Sequence, residues 1–326
     1  MKQEKVLELK SLTVQYPDSE KEILRNINLS LYKGEIICVI GESGCGKSTL
    51  LQSVLQLPGR VKITEGKVLF KDKNLQELSQ DQLRSVRGMG IGVVFQEPGA
   101  SMDPIRKIYK QFYDAVHVHD REMSKSEVRK KAELLLKSME FTDPERILDS
   151  CPAQLSGGMN QRVAIALAMV LDPQLLLADE PTSALDVTVQ AQVVSELLQL
   201  REKYGTSILF ITHNMGVVAK IADKVAVMYG GQIVEYGSKK EVLYYPAHPY
   251  TRALLAAIPQ MGGRLPKGIY GRKTEYLPIK SCAFASRCPK VCDICVQSDL
   301  KKQELGNGHW TMCIQEASED ADNTGR

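Results

Sequence analysis

The residues from Gly41 to Thr49 read Gly41-Glu42-Ser43-Gly44-Cys45-Gly46-Lys47-Ser48-Thr49, the pattern G-x-x-x-x-G-K-[ST] of a phosphate-binding loop. Glycines let backbone N–H groups turn inward onto phosphate oxygens, and a following helix N-terminus adds a favourable dipole. Lys47 is placed to reach the β- and γ-phosphates of a nucleotide, and the Ser48 hydroxyl to ligate Mg²⁺. Such chemistry also needs a carboxylate near the metal. Leu176-Leu177-Ala178-Asp179-Glu180 offers two at the end of an apolar run. Asp179 suits Mg²⁺, and Glu180 is then placed to polarise a water for in-line attack on the γ-phosphate.

A second anion-binding pattern is Leu155-Ser156-Gly157-Gly158-Met159-Asn160-Gln161-Arg162. Ser156 caps a helix whose first turn carries two glycines with open N–H groups. One domain is poorly built to bring both helix ends to the same γ-phosphate. Two copies facing head to tail would do so.

The eight cysteines are unevenly spread. Cys38, Cys45 and Cys151 stand alone; Cys282, Cys288, Cys292, Cys295 and Cys313 gather near the C-terminus. In a reducing cytosol such a group reads as a metal site before it reads as disulfides. Four thiolates suit zinc or an iron–sulfur cluster, with reduced, unligated thiols as the alternative. A metal would help to fold an extension with few apolar residues of its own. Cys38 lies in an apolar run and should be inert. The Cys45 thiol, inside the phosphate loop, is a target for oxidation or alkylation.

These residues must be carried by elements, and the hydrophobic pattern supplies them. Glu35 to Ile40 reads as a buried strand entering the loop, and Lys47 to Gln56 as the helix leaving it. Val6 to Val14, Ile23 to Leu31, Gly66 to Phe70, Ile91 to Phe95, Leu175 to Asp179 and Ser207 to Thr212 read as further strands. Val187 to Lys203 and Met215 to Ile221 read as helices. Lys224 to Met228 and Gln232 to Glu235 form a hairpin over Gly230-Gly231. Strands alternating with helices argue for a mainly parallel α/β core. The stretch 98–168 differs: it is helical in pattern, with Val128, Ala132, Leu135 and Leu136 on one face of Lys125 to Met139, and reads as an insertion. From Pro259 periodicity fades, so an extension begins there. His117 and His119, two apart on a helix, would point away from each other and hold no metal.

With 326 residues the chain suffices for one large domain plus a small one, and its 43% hydrophobic and 25% charged content is ordinary for a globular protein. A net charge of +3 gives no bulk argument for nucleic acid. No run approaches a membrane span, and no apolar core follows Met1 to Lys5 as a signal peptide would need.

Taken in order, these motifs closely resemble the ATP-binding-cassette (ABC) ATPase family. Gly41 to Thr49 resembles its Walker A loop, Leu155 to Gln161 its signature and Leu176 to Glu180 its Walker B strand. Gln96 matches the Q-loop glutamine, Ser183 to Asp186 the D-loop, His213 the switch histidine and Tyr16 the aromatic that stacks on adenine. The resemblance spans about Val6 to Ala257. It implies a P-loop ABC-type α/β core with a mixed sheet (1–258), an inserted helical subdomain (about 98–168) and a small Cys-rich extension (259–326). It implies ATP and Mg²⁺, the latter on Ser48, Gln96 and Asp179. It also implies a head-to-tail dimer in which Ser156, Gly157 and Gly158 act on the partner's nucleotide and Asp186 lies near the shared site. Glu180 would be the general base, Lys47 a catalytic phosphate ligand and His213 a γ-phosphate sensor.

Within that family, Phe95-Gln96-Glu97-Pro98, Ser101-Met102-Asp103-Pro104, Ile211 to Ala219 and His248 to Leu255 are similar to dipeptide, oligopeptide and nickel importer ATPases. The tail around Cys282, Cys288, Cys295, His309 and Cys313 resembles the extension of the peptide-importer members. By resemblance Cys282, Cys288, Cys295 and Cys313 hold a 4Fe–4S cluster, with zinc as alternative and Cys292 as an extra. The implied function is ATP hydrolysis driving di- or oligopeptide import, with nickel or a metal chelate as the alternative cargo. The implied partners are a second, different ATPase subunit, two membrane permeases and an extracytoplasmic solute-binding protein, with no nucleic acid. The implied location is peripheral, on the cytoplasmic face of the inner membrane. Departures are Asn160 for a basic residue and Asn214 for an Asp, which should change a local hydrogen bond. Outside transport, a DNA-repair ATPase would need a long coiled coil, for which the interval from Lys47 to Ser156 is too short. A translation factor would need two ATPase domains, and a non-enzymatic regulator would not keep Glu180.

Overall fold

The computed structural model describes residues 4–97, 101–183, 185–258, 281–297 and 300–314. The chain opens with β1 (Lys5–Gln15) and β2 (Glu22–Tyr32), the second burying Leu24, Ile27, Leu29 and Leu31. β3 (Ile36–Ile40) is apolar and buried at every position, as expected of a strand covered on both faces. α1 (Lys47–Leu55), β4 (Lys62–Phe70), β5 (Lys73–Asn74), α2 (Gln80–Ser85) and β6 (Ile91–Val94) follow. A helical stretch comes next: α3 (Ile108–His117), α4 (Lys125–Ser138), α5 (Pro144–Asp149) and α6 (Gly157–Ala168). Then come β7 (Leu175–Asp179), α7 (Val187–Tyr204), β8 (Ser207–Ile211) and α8 (Met215–Ile221). β9 (Lys224–Tyr229), β10 (Gln232–Ser238), α9 (Lys239–Tyr244) and α10 (Pro249–Ala256) complete the core sequence. Past it lie α11 (Asp293–Gln297), β11 (Gln303–Gly306) and β12 (His309–Thr311).

The chain divides into two compact units. The first comprises Met1–Glu8, Ser30–Ile36 and Leu69–Thr212. Its β6, β7 and β8 pair in parallel, with Ile91 opposite Leu175 and Asp179 opposite Ile211. Parallel neighbours point their carboxyl ends to one edge, where α/β proteins bind ligands. The helices of this unit are well specified. α4 starts with a capping box: Ser124 Oγ accepts from the Glu127 N–H at 3.3 Å, and Glu127 Oε2 accepts from the Ser124 N–H at 2.8 Å. It buries Val128, Ala132, Leu135 and Leu136, the stripe its sequence period requires.

The second unit comprises Leu9–Leu29, Ile37–Val68 and His213–Arg326. Its sheet is mixed: β3 pairs parallel to β9, β9 antiparallel to β10, and β10 antiparallel to β12, which pairs with β11. The β9–β10 hairpin turns through Gly230 and Gly231, both at positive φ. Tyr229, Tyr250 and Phe284 form an aromatic cluster in this unit, with ring centroids 4.6, 5.2 and 5.4 Å apart.

Several boundaries differ from the sequence reading. β10 runs three residues past Glu235, because Tyr236 continues the ladder opposite both Ala226 and Trp310. α3 ends at His117, Val118 caps it, and His119 therefore lies beyond the helix. The expected onset of the extension at Pro259 falls outside the described residues. Among the described residues, no helix is long and apolar enough to cross a membrane.

Candidate functional site

In the second unit the phosphate loop leaves the carboxyl end of β3 and enters α1. Two glycines are dictated by contact or by backbone conformation. A Cβ on Gly41, at φ 152°, would stand 2.2 Å from the Met228 carbonyl oxygen. One on Gly46, at φ 108°, would stand 2.7 Å from Leu24 Cδ2. At Gly41 the β9 backbone leaves no room for a side chain, and at Gly46 the positive φ favours glycine. Lys47 is buried, and its Nζ donates to the carbonyl oxygens of Gly41 at 2.8 Å and Glu42 at 2.9 Å. The ammonium is thus folded back over the loop that its charge would serve. Ser43, Gly44 and Ser48 are exposed on the loop, while Thr49 and Cys45 are buried. Tyr16 is 43% exposed, an open aromatic face, and its hydroxyl lies 3.3 Å from Thr49 Oγ1. His213 is exposed at the start of the segment leading to α8. Asn214 caps α8, its Oδ1 accepting from the N–H groups of Gly216 at 2.9 Å and Val217 at 3.3 Å. An Asp there would make the same bonds, so the exchange keeps the cap.

The burial of Cys45 corrects one expectation. Its Sγ would lie 2.9 Å from a Cβ on Gly41, and the residue is 2% exposed. The thiol faces the inside of the loop and is shielded from bulky reagents. Cys38 is fully buried, and burial pushes its thiol well above the usual range.

The first unit carries the carboxylates. Asp179 ends β7, and Gln96 lies exposed just after the end of the adjacent parallel strand β6. Glu180 adopts φ 44°, a left-handed conformation rare for a glutamate. It is fixed there because its N–H donates to the Ile211 carbonyl at 3.0 Å and its own carbonyl accepts from the Ser183 N–H at 3.1 Å. Such a left-handed conformation costs backbone energy, which the two backbone hydrogen bonds at the strand end hold in place. Ser156 caps α6, its Oγ accepting from the Met159 N–H at 3.3 Å, with Gly157 and Gly158 opening the helix. Asn160 Nδ2 donates to the Pro152 carbonyl at 3.0 Å, a local bond in place of a surface charge. Asp186 caps α7, accepting from the N–H groups of Thr188 and Val189 at 3.0 Å.

Two buried titratable groups were not apparent from sequence. Glu196 in α7 is fully buried, with Oε1 3.6 Å from Arg162 Nη1. Burial raises its carboxyl to about 7, against the pull of the nearby guanidinium. Glu235 in β10 is also fully buried but richly bonded. Its oxygens accept from the Ala247 N–H at 2.8 Å and the His248 N–H at 2.9 Å, and Oε1 lies 2.9 Å from His309 Nε2. A carboxylate–histidine pair 74 residues apart in the chain carries no sequence signature.

In the cysteine-rich segment, Cys282 and Cys295 are buried, and Cys288, Cys292 and Cys313 are half-buried. The Cys282 N–H donates to the Cys295 carbonyl at 2.8 Å, and the Cys292 and Cys295 sulfurs are 3.5 Å apart. Burial pushes the Cys282 thiol up to about 12, and the nearby Cys295, Cys288 and Cys313 sulfurs act in the same direction. The close sulfur pair thus includes Cys292, the thiol expected to be the extra one. Among the described residues, however, no three Cys, His, Asp or Glu side chains converge as a formed metal site.

Comparison with known proteins agrees with this geometry. Residues 24–183 match the ABC transporter family model, and residues 234–295 match the model of the oligopeptide/dipeptide transporter C-terminal region. The chain is 41% identical over 300 residues to a dipeptide transport ATP-binding protein of Bacillus subtilis, covering 89% of each. It is 44% identical over 316 residues to an oligopeptide transport ATP-binding protein of the same organism, covering 94% of this chain and 87% of that one. Among solved structures, an ABC transporter component of Clostridium perfringens superposes with a TM-score of 0.66 at 30% identity, covering 74% of this chain and 92% of its own. A dimeric ATP-binding cassette bound to ADP and Pi in a post-hydrolysis state gives 0.64 at 32% identity, covering 72% and 98%. The fold and site define a P-loop ATPase of the cassette type. The chain belongs to the family of ABC transporter ATP-binding proteins, with the C-terminal region found in its oligopeptide/dipeptide branch.

Proposed function

We propose that this chain is the ATP-hydrolysing subunit of an importer that takes up di- or oligopeptides through separate membrane permeases. The observation that carries the reading is the Gly41–Thr49 loop, with Lys47 Nζ 2.8–2.9 Å from its carbonyls and Ser48 exposed at the start of α1. On ATP binding, Lys47 exchanges those carbonyls for phosphate oxygens, a charge-assisted contact stronger than the neutral one it replaces. Tyr16 presents its ring to adenine. The hydroxyl of Ser48 and the oxygens of Asp179 and Gln96 are hard donors suited to Mg²⁺, which would neutralise charge on the β- and γ-phosphates. Glu180 accepts the proton of the attacking water, and His213 donates to the γ-phosphate. Ser156, Gly157 and Gly158 serve the nucleotide of a second ATPase subunit, beside which Asp186 lies. Gln96 passes the state of the site to the permease.

The cargo and the assembly rest on the relatives' described transport of dipeptides and oligopeptides and on the matched C-terminal region. The assembly read in this way has two permeases, a solute-binding protein and a second ATPase subunit, with this chain peripheral on the cytoplasmic membrane face. In this reading the ATPase domain runs to residue 258 and is followed by an extension. Cys282, Cys288, Cys295 and Cys313 supply the soft thiol donors of a 4Fe–4S cluster, and zinc suits the same donors. Iron with acid-labile sulfide in anaerobically purified protein would support the cluster; zinc alone would replace it.

The transport reading is tested by uptake in cells carrying this chain with its neighbouring permeases. Labelled di- or oligopeptide should accumulate with the native chain and not with Lys47→Ala. Accumulation of labelled nickel without peptide would overturn the peptide assignment.

A further inference from the structure

The phosphate loop carries a carboxylate, Glu42, one residue after its first glycine. A carboxylate beside a site for a triphosphate repels the ligand unless its charge is compensated. The structure compensates it from the cysteine-rich segment. Arg287 Nη1 donates to Glu42 Oε2 at 2.9 Å, and Nη2 donates to Oε1 at 3.1 Å, a two-pronged pair. The Arg287 side chain is 6% exposed and that of Glu42 27%, so solvent screens the pair only in part.

Both partners are held from behind. Arg287 Nη1 also donates to the Tyr229 hydroxyl at 3.2 Å, and its guanidinium lies 5.8 Å from that ring's centroid. Arg287 ends a short 3₁₀ turn, Ala285–Arg287, whose neighbour Phe284 is buried against Tyr229 and Tyr250. Tyr250 in turn accepts from the Glu42 N–H at 2.8 Å through its hydroxyl. Glu42 is thus fixed at three points: its N–H by Tyr250, its carbonyl by Lys47 and its carboxylate by Arg287.

We propose that Arg287 is a positioning residue of the phosphate loop: by gripping and neutralising Glu42, the C-terminal segment sets the loop's affinity for the nucleotide triphosphate. The inference rests on the ATPase reading above and adds to it a partner for the loop from the far end of the sequence. The segment between Cys282 and Cys288 then acts within the nucleotide site and is more than an appendage to it.

The test is calorimetric binding of a non-hydrolysable ATP analogue with Mg²⁺ to the full chain and to variants checked for intact fold. Arg287→Ala should weaken binding by about tenfold, the scale of a lost charge-assisted bidentate contact. Arg287→Lys, which keeps the charge but not the fork, should lose about threefold. The decisive variant adds Glu42→Gln to Arg287→Ala. Removing the uncompensated carboxylate should restore affinity to within about threefold of the native chain, a non-additive result expected of a coupled pair. A role confined to packing against Tyr229 would not be relieved by Glu42→Gln. Native affinity in Arg287→Ala, or a double variant no better than Arg287→Ala, overturns the proposal while leaving the ATPase reading intact. Should Arg287→Ala fail to fold, Arg287→Lys with and without Glu42→Gln carries the same comparison. No analogue binding by the native chain would remove both readings together.

Discussion

Glu235 Oε1 and His309 Nε2 lie 2.9 Å apart in a fully buried setting, joining β10 of the core to β12 near the end of the chain. Two strands pair there, Glu235 opposite Thr311 and Tyr236 opposite Trp310, and the side-chain bond pins that register. The C-terminal segment is therefore docked by an added strand and a buried polar contact, not by apolar area alone.

Replacing His309 by Ala removes one bond from a carboxylate that keeps its two backbone donors. The expected cost is about 1–3 kcal/mol, with faster amide exchange across Gln303–Thr311. Hydrogen exchange measures it directly. Unchanged protection of β11 and β12 would show that strand pairing alone holds the segment.

Glu196 makes stability depend on pH in an unusual direction. Its native carboxyl titrates near 7, above the ordinary value of 4.5, so the folded chain binds a proton that the unfolded chain releases between those values. Stability should fall as pH rises from about 4.5 to 7 and stay low above it. Glu196→Gln removes this loss. Arg162 keeps the Met139 carbonyl at 3.2 Å and the Phe141 ring at 4.4 Å. The variant should be more stable than the native chain at pH 8, by about 1–3 kcal/mol, and gain least at pH 5. Urea unfolding at the two pH values checks this; an equal effect at both contradicts it.

His248 acts with the opposite sign. It caps α10, its Nδ1 accepting from the Tyr250 N–H at 3.1 Å, and burial lowers it to about 4 from 6.5. The folded chain resists the proton that the unfolded chain takes up, so this contribution is present above 6.5 and lost as pH falls towards 4. Asn keeps a cap without titrating. His248→Asn should therefore flatten the acid limb of the stability curve; an unaltered limb would show that His248 is not its cause. In the native chain the Glu196 and His248 slopes oppose each other between about 4.5 and 6.5. Each single variant should then expose the other's slope.

Cys38 and Cys45 are 0% and 2% exposed, so neither should react with a bulky thiol reagent in the folded chain. Mass spectrometry after brief labelling should place modification on Cys151 and on Cys292, the half-buried cysteines outside the proposed metal ligands, instead. Rapid labelling of Cys45 would mean that the phosphate loop opens without nucleotide.

The phosphate loop, the Asp179–Glu180 strand end and the Ser156 cap were legible in sequence because each is a local pattern. An apolar run, a glycine turn and a polar cap fall within a dozen residues. Strands β3, β7 and β8 were legible for the same reason, being short, apolar and bounded by turns. The Glu42–Arg287 and Glu235–His309 pairs were not, since they join residues far apart in the chain. The raised carboxyl of Glu196 also escaped, because its position in a helical repeat gives no sign that it is buried beside Arg162. α9 and α10 were passed over because each is short, although their starts carry local signals, the Ser238–Glu241 capping box and Pro249 after the His248 cap.

The central claim is that ATP binding and hydrolysis by this chain power a membrane importer. The most direct measurement is purification of the Glu180→Gln variant from detergent-solubilised membranes with ATP, followed by identification of what accompanies it. The substitution removes the general base and should trap the ATP-bound, closed dimer. Recovery of two permeases and a second ATPase subunit, lost when Lys47→Ala is added, is the predicted result. A variant that binds ATP yet remains unassociated with membrane proteins, or that brings DNA or ribosomes, would contradict the transport account.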